Sequence, residues 1–98
     1  MTITRIFRVQ VHANLLPEFE EKFADISVNV VKNAVGSLSV TIARPTKWRP
    51  NEYAMISEWK DIESLSAFAG GEWNRPVIPT DMEKFVEKCW VHHYESWD

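Results

Sequence analysis

Three histidines, a single cysteine and a Trp-Asn-Arg run are where this sequence offers chemistry beyond packing. His92 and His93 are adjacent within Cys89 to Trp97, a stretch with two Trp, a Val and a Tyr that reads as a strand. Neighbouring strand residues point to opposite faces, so the pair cannot chelate one metal. His12, late in another strand pattern, falls near His92 if the two strands pair antiparallel. Two imidazoles still lack a further ligand, and metal sites need three or four, so no metal site is expected. A histidine that titrates near neutral pH can take a proton, and His93 is the better placed of the pair. The plain alternative is a hydrogen-bonded sheet histidine.

Glu72-Trp73-Asn74-Arg75-Pro76 follows Gly70-Gly71, as a pocket rim would. Trp73 can stack on a flat ligand, Arg75 can bind a carboxylate or enolate-like oxygen, and Asn74 can donate to a carbonyl. The competing reading is a surface loop pinned by its Trp. Trp59 and Phe68, with Phe23, can form an aromatic wall, although for Phe23 helical spacing favours plain core. Arg44, Lys47 and Arg49 surround Trp48 in a loop with two prolines, which reads as solvated or as an arm across a dimer. Cys89 has only Lys88 beside it and reads as a packed thiol. No phosphate-binding glycine loop, Cys-x-x-Cys pair or nucleophile elbow is present.

These residues need a frame. Thr4 to Ala13 alternates, with Phe7, Val9 and Val11 on one face and Ile6, Arg8, Gln10 and His12 on the other, the pattern of a half-buried strand. Pro17 to Ala34 places Phe19, Phe23, Ile26, Val30 and Ala34 at helical spacing, with acidic residues toward the N-terminus, and Gly36 ends it. Ser37 to Ala43 alternates again. Tyr53 to Trp59 is a third strand that runs into a helix capped by Asp61, with Ile62, Leu65, Phe68 and Ala69 at helical spacing. Glu72 to Thr80 is irregular, and Asp81 caps a short helix carrying Met82, Phe85 and Val86 before the last strand. Strand, helix, two strands, two helices and a strand predict an α+β domain. The topology is the ferredoxin-like split βαβ, with an antiparallel sheet and helices on one face.

The 98 residues make a single domain over 1–98, with ordinary hydrophobic (45%) and charged (26%) content. A net charge of −3 with scattered cations argues against a nucleic-acid surface. No apolar run approaches the ~18 residues of a membrane span, and Met1 to Arg8 lacks the apolar core of a signal peptide. The lone cysteine points to a reducing, cytoplasmic setting. Large apolar residues fall on both faces of the first, third and last strands, so the face away from the helices is expected to pack on a second copy as a two-fold homodimer.

At Ser57-Glu58-Trp59-Lys60-Asp61-Ile62-Glu63-Ser64-Leu65, and at Val35-Gly36-Ser37-Leu38, the chain resembles the antibiotic biosynthesis monooxygenase (ABM) family of dimeric α/β barrels. The resemblance implies a homodimer with a pocket between sheet and helices in each subunit. Some members oxidise polycyclic aromatic compounds with molecular oxygen and neither metal nor flavin. Others degrade haem or isomerise small sugar-derived signals. Many members have a His where this chain has Phe68. The haem-degrading branch has a Trp near Phe68, a haem-ligating His near Ile78 and an Asn in the first strand. Here those positions hold Phe and Ile, and no Asn lies between Thr4 and Ala13. Haem degradation is therefore disfavoured, with haem binding through another His left open.

The expectation is an ABM-like homodimer with an apolar pocket for a small aromatic or polyketide-like ligand. As an enzyme it would be a monooxygenase without a cofactor. His93 would take the proton, Arg75 and Asn74 would hold the oxyanion, and Trp59, Phe68 and Trp73 would hold the ligand. A non-catalytic small-molecule-binding dimer and an isomerase of a small carbonyl compound are the alternatives. Oxygen uptake separates the first from the other two.

Overall fold

The computed structural model describes residues 1–71 and 73–97. Glu72, which the sequence places at the start of the pocket rim, lies outside the described residues.

Four strands form one antiparallel sheet: β1 (Ile3–Val11), β2 (Ser37–Ala43), β3 (Glu52–Trp59) and β4 (Val86–Glu95). Their spatial order is β2-β3-β1-β4, the split βαβ arrangement. Alternation decides the two faces. Ile3, Arg5, Val9 and Val11 of β1 and Tyr53, Met55, Ser57 and Trp59 of β3 are all buried under the helices. The register sets Cys89 opposite Val9, Val91 opposite Phe7 and His93 opposite Arg5, so these β4 residues share that face. Trp90, His92 and Tyr94 lie opposite Arg8, Ile6 and Thr4 on the other face, together with Ala54 and Ile56 of β3. No described helix covers that second face with buried partners, and its aromatic and aliphatic residues are unusually large for a wet sheet surface.

The helical layer begins with a tight turn, Ala13–Leu15, and continues as α1 (Leu16–Lys22), a π-helical turn (Phe23–Ser27) and α2 (Val28–Lys32). Pro17 sits in the first turn of α1, where its missing N–H costs nothing. The π turn changes which residues face the sheet. Uniform α-helical spacing from Phe19 and Phe23 leads to Val30, yet Val31 is buried and Val30 is 43% exposed. A π turn adds a residue to the repeat and advances the inward face by one position beyond it. Phe19 then packs on Phe23 (4.8 Å between ring centres), Tyr53 (4.7 Å) and Phe85 (5.6 Å).

Helix α3 (Ile62–Ala69) starts where Asp61 accepts a 2.8 Å hydrogen bond from the Ser64 N–H. It stops at Gly70, whose φ of 86° only glycine tolerates freely. The expected cap at Asp81 is not made. The last helical piece, Thr80–Phe85, is a 3-10 turn that follows Pro79, with no side-chain cap, and Asp81 lies inside it. β4 starts earlier and ends earlier than the sequence pattern suggests. It leaves that turn at Val86 and runs out at Glu95, which pairs with Ile3 at the start of β1; one more bond, from the Ser96 N–H to the Thr2 carbonyl (3.0 Å), follows, and Trp97 beyond it is exposed.

Candidate functional site

On the inner face of the sheet one row of polar side chains crosses three strands. Ser57 of β3 and His93 of β4 are the direct partners of Arg5 on β1. Arg5 is 4% exposed. Its Nη1 donates to the Trp73 carbonyl at 2.7 Å and lies 2.9 Å from His93 Nε2, while Nη2 donates to the Arg75 carbonyl at 3.1 Å. A guanidinium has no acceptor, so Nε2 accepts and the imidazole is neutral with its proton on Nδ1. Burial, then the Arg5 charge, then His92, push the His93 pKa down to about 4. Burial lowers Arg5 to about 10, which leaves it charged at neutral pH. The Trp73 ring stands edge-on to His93, 4.8 Å away, and closes the row at its β4 end.

A cleft lies over this row, between the sheet and the helical layer. Arg5, Phe7, Phe23, Met55, Phe68 and Ile78 are among its walls. The π turn contributes Phe23 and Ser27, and the irregular segment before the last helical turn contributes Val77 to Pro79. Water centres can occupy about 50 Å³ of it, space for a few waters. A flat ligand enters only if the walls part.

Of the six residues singled out from sequence, Phe68 lines the cleft and His93 belongs to the polar row. Trp73 buttresses His93 and supplies a carbonyl to Arg5. Asn74 and Arg75 have exposed side chains, and Arg75 reaches the site through its backbone carbonyl. Trp59 is fully buried behind the cleft, donating from Nε1 to Ser57 Oγ (3.0 Å) and packing on Phe68 at 5.0 Å. It supports the wall and does not line it. His12 and His92 do not meet, because the register sets His92 opposite Ile6; His12 lies 4.0 Å from Glu87 instead. Among the described residues no group of three His, Cys, Asp or Glu side chains can hold a metal.

Arg44 pairs with Glu20 at 3.2 Å, and Lys47 lies over the Trp48 ring. Glu20 also accepts a 2.6 Å hydrogen bond from Tyr53, whose pKa is raised by burial and by that carboxylate. Burial raises the Cys89 thiol as well, which makes it a poor nucleophile.

Arg5 is the residue that sequence reading passed over. The signal was there: once Phe7, Val9 and Val11 are read as the inward face of β1, the same parity sends Arg5 inward.

The sequence model of the antibiotic biosynthesis monooxygenase family matches residues 2–73. The chain belongs to this family. Solved structures agree with the fold. SnoaB, a cofactor-independent oxygenase from Streptomyces nogalater, is 18% identical, with 99% of this chain and 94% of that chain covered and a TM-score of 0.75. A conserved protein from Methanosarcina mazei is 16% identical over 99% and 94% of the two chains, with a TM-score of 0.74. A haem-degrading protein from Mycobacterium tuberculosis is 26% identical over 97% and 93%, with a TM-score of 0.66. No curated protein sequence matches the chain.

The ABM residues present here do not fit a ligated haem. Among the described residues no histidine lines the cleft, Ile78 stands on its wall, and His93 Nε2 is already accepting from Arg5.

Proposed function

We propose that the protein is a monooxygenase that needs no bound cofactor and acts, as a homodimer, on a small aromatic or polyketide-like compound in the cleft beneath α1, α2 and α3. The observation that carries this reading is the polar row on an otherwise apolar cleft floor: one buried guanidinium held by a neutral imidazole and two carbonyls. Family membership and the fold shared with a cofactor-independent oxygenase add to it.

Such a reaction needs a substrate with an acidic C–H next to a carbonyl or phenol. Loss of that proton gives an enolate-type carbanion. A low-dielectric cleft with a fixed cation at its floor favours that anion over its neutral form. The carbanion gives one electron to oxygen, and the radical pair joins to make a C–O bond. The peroxide takes a proton, then its O–O bond breaks as the carbon loses its second hydrogen and water leaves. The sum is substrate-CH₂ plus O₂ to substrate-C=O plus H₂O, so the substrate supplies every electron. Arg5 takes the oxyanion role that type and spacing had suggested for Arg75 and Asn74. His93 and the Trp73 and Arg75 carbonyls hold Arg5 in place. An imidazole with a pKa near 4 and its Nε2 engaged is a weak base, so the substrate proton leaves to water at the cleft mouth.

Oxygen-electrode assays with a panel of hydroxylated polycyclic aromatic compounds test the reading. Uptake with matched ketone formation, unchanged by chelator, is the expected result. Absence of uptake with any compound shown to bind would overturn it in favour of a non-catalytic binding dimer.

A further inference from the structure

We infer that the cleft selects its ligand as an anion, and that Arg5 is the recognition element: the ligand class is a flat, largely apolar molecule with one carboxylate, enolate or phenolate group. This rests on the reading of the cleft as a small-molecule site and adds the charge of what enters it.

The argument begins with the cost of Arg5. A charged side chain at 4% exposure is costly unless paired. Buried guanidinium groups are ordinarily met by carboxylates, yet no carboxylate contacts Arg5 among the described residues; burial alone shifts its pKa. Its protein partners are two carbonyls and one neutral imidazole, which orient the group without neutralising it. These three bonds use both Nη1 hydrogens and one on Nη2. Nε makes no hydrogen bond among the described residues and Nη2 beside it makes one; since no buried side-chain nitrogen there lacks a partner, Nε–H and the second Nη2 hydrogen are left open to the cleft. Arg5 is itself part of the cleft wall. Two adjacent N–H donors match the two oxygens of a carboxylate, or an enolate oxygen with its neighbour. Ser57, opposite Arg5, also lines the cleft; its Oγ accepts from Trp59, so its hydroxyl hydrogen is left to donate. Apart from the Ser27 hydroxyl the rest of the lining is apolar, which suits a ring system and offers no second charge.

The test is an anaerobic titration of the purified protein near neutral pH with naphthoate and, separately, with naphthalenemethanol, read by calorimetry. The two share ring and size and differ in charge. Wild-type protein is expected to prefer naphthoate by about tenfold or more, the scale of one charge-assisted pair. Arg5→Met should abolish the preference and leave binding of the alcohol. If Arg5→Met does not fold, the wild-type protein still decides: naphthoate, and not the alcohol, should shift the Arg5 Nε–H resonance. Equal affinities, no saturable naphthoate binding, or naphthoate binding that leaves that resonance unmoved each overturn the inference. Oxygen is absent, so the outcome is separate from the oxygenase reading. Anion preference without oxygen uptake keeps the site and removes the reaction, and uptake without anion preference does the reverse.

Discussion

Arg5 Nη1 and His93 Nε2 stand 2.9 Å apart across neighbouring strands, a permanent cation donating to an imidazole that must stay neutral to receive it. Protonating His93 would set two positive charges against each other in a largely buried row. Several consequences of the structure can be measured from that pair outward.

The first is acid sensitivity. His93 has a folded pKa of about 4 against an ordinary value of 6.5. Between those values the unfolded chain binds a proton that the folded chain refuses, so stability is full above pH 6.5 and is lost as pH falls toward 4. Allowing for partial exposure of the ring, the loss is on the order of 2 kcal/mol. Urea midpoints across this range should fall in the wild type and fall less in His93→Gln. A His93 resonance titrating near 6.5 would contradict the pairing.

A second concerns the loop. Asn74→Ala and Arg75→Ala remove exposed side chains and keep the backbone carbonyl that Arg5 uses. Turnover of a confirmed substrate should stay within about twofold, whereas Arg5→Gln, which loses a charge-assisted contact, should lower it by tenfold or more. Steady-state kinetics on the three variants separates side chain from backbone.

Trp59 supports the cleft wall through packing and one buried hydrogen bond. Trp59→Ala should cost about 3–5 kcal/mol, as expected when a large buried ring is truncated. Ser57→Ala leaves the indole N–H without its acceptor and should cost about 1–3 kcal/mol. Denaturant unfolding of both variants gives the two numbers directly.

Gly36 is fixed by two constraints. Its φ of 90° lies in the left-handed range, and a Cβ there would overlap the Ser64 side chain on α3. Gly36→Ala should destabilise by about 1–3 kcal/mol from backbone strain, with overlap adding to it. Ser64→Gly in the same chain should recover the overlap part only, so thermal melts of the single and double variants distinguish the two causes.

The open sheet face carries Ile56, Trp90 and Tyr94. If it is the homodimer surface, Ile56→Asp should halve the solution mass by light scattering while leaving the far-ultraviolet circular dichroism unchanged. An unchanged mass, at twice the chain mass or at one chain mass throughout, would count against that surface.

The sequence by itself determined the element order, the α+β class and the alternation of the first strand, because a period of two and a helical period are local properties of the chain; which face the third- and last-strand aromatics take was left to the sheet. The Glu58-Trp59 strand end and the Asp61 cap were legible for the same reason: each is met within a few residues. Tertiary structure alone decided that Val31 is buried while Val30 stays 43% exposed, since nothing in the residue types announces the π turn. It also decided that His12 and His92 are apart and that His93 meets Arg5. Strand register is set by long-range pairing, and two residues 88 apart in sequence become neighbours only when β4 docks beside β1. The site follows that division. Its apolar walls could be read from alternation, whereas its polar row exists only where three strands line up Ser57, Arg5 and His93.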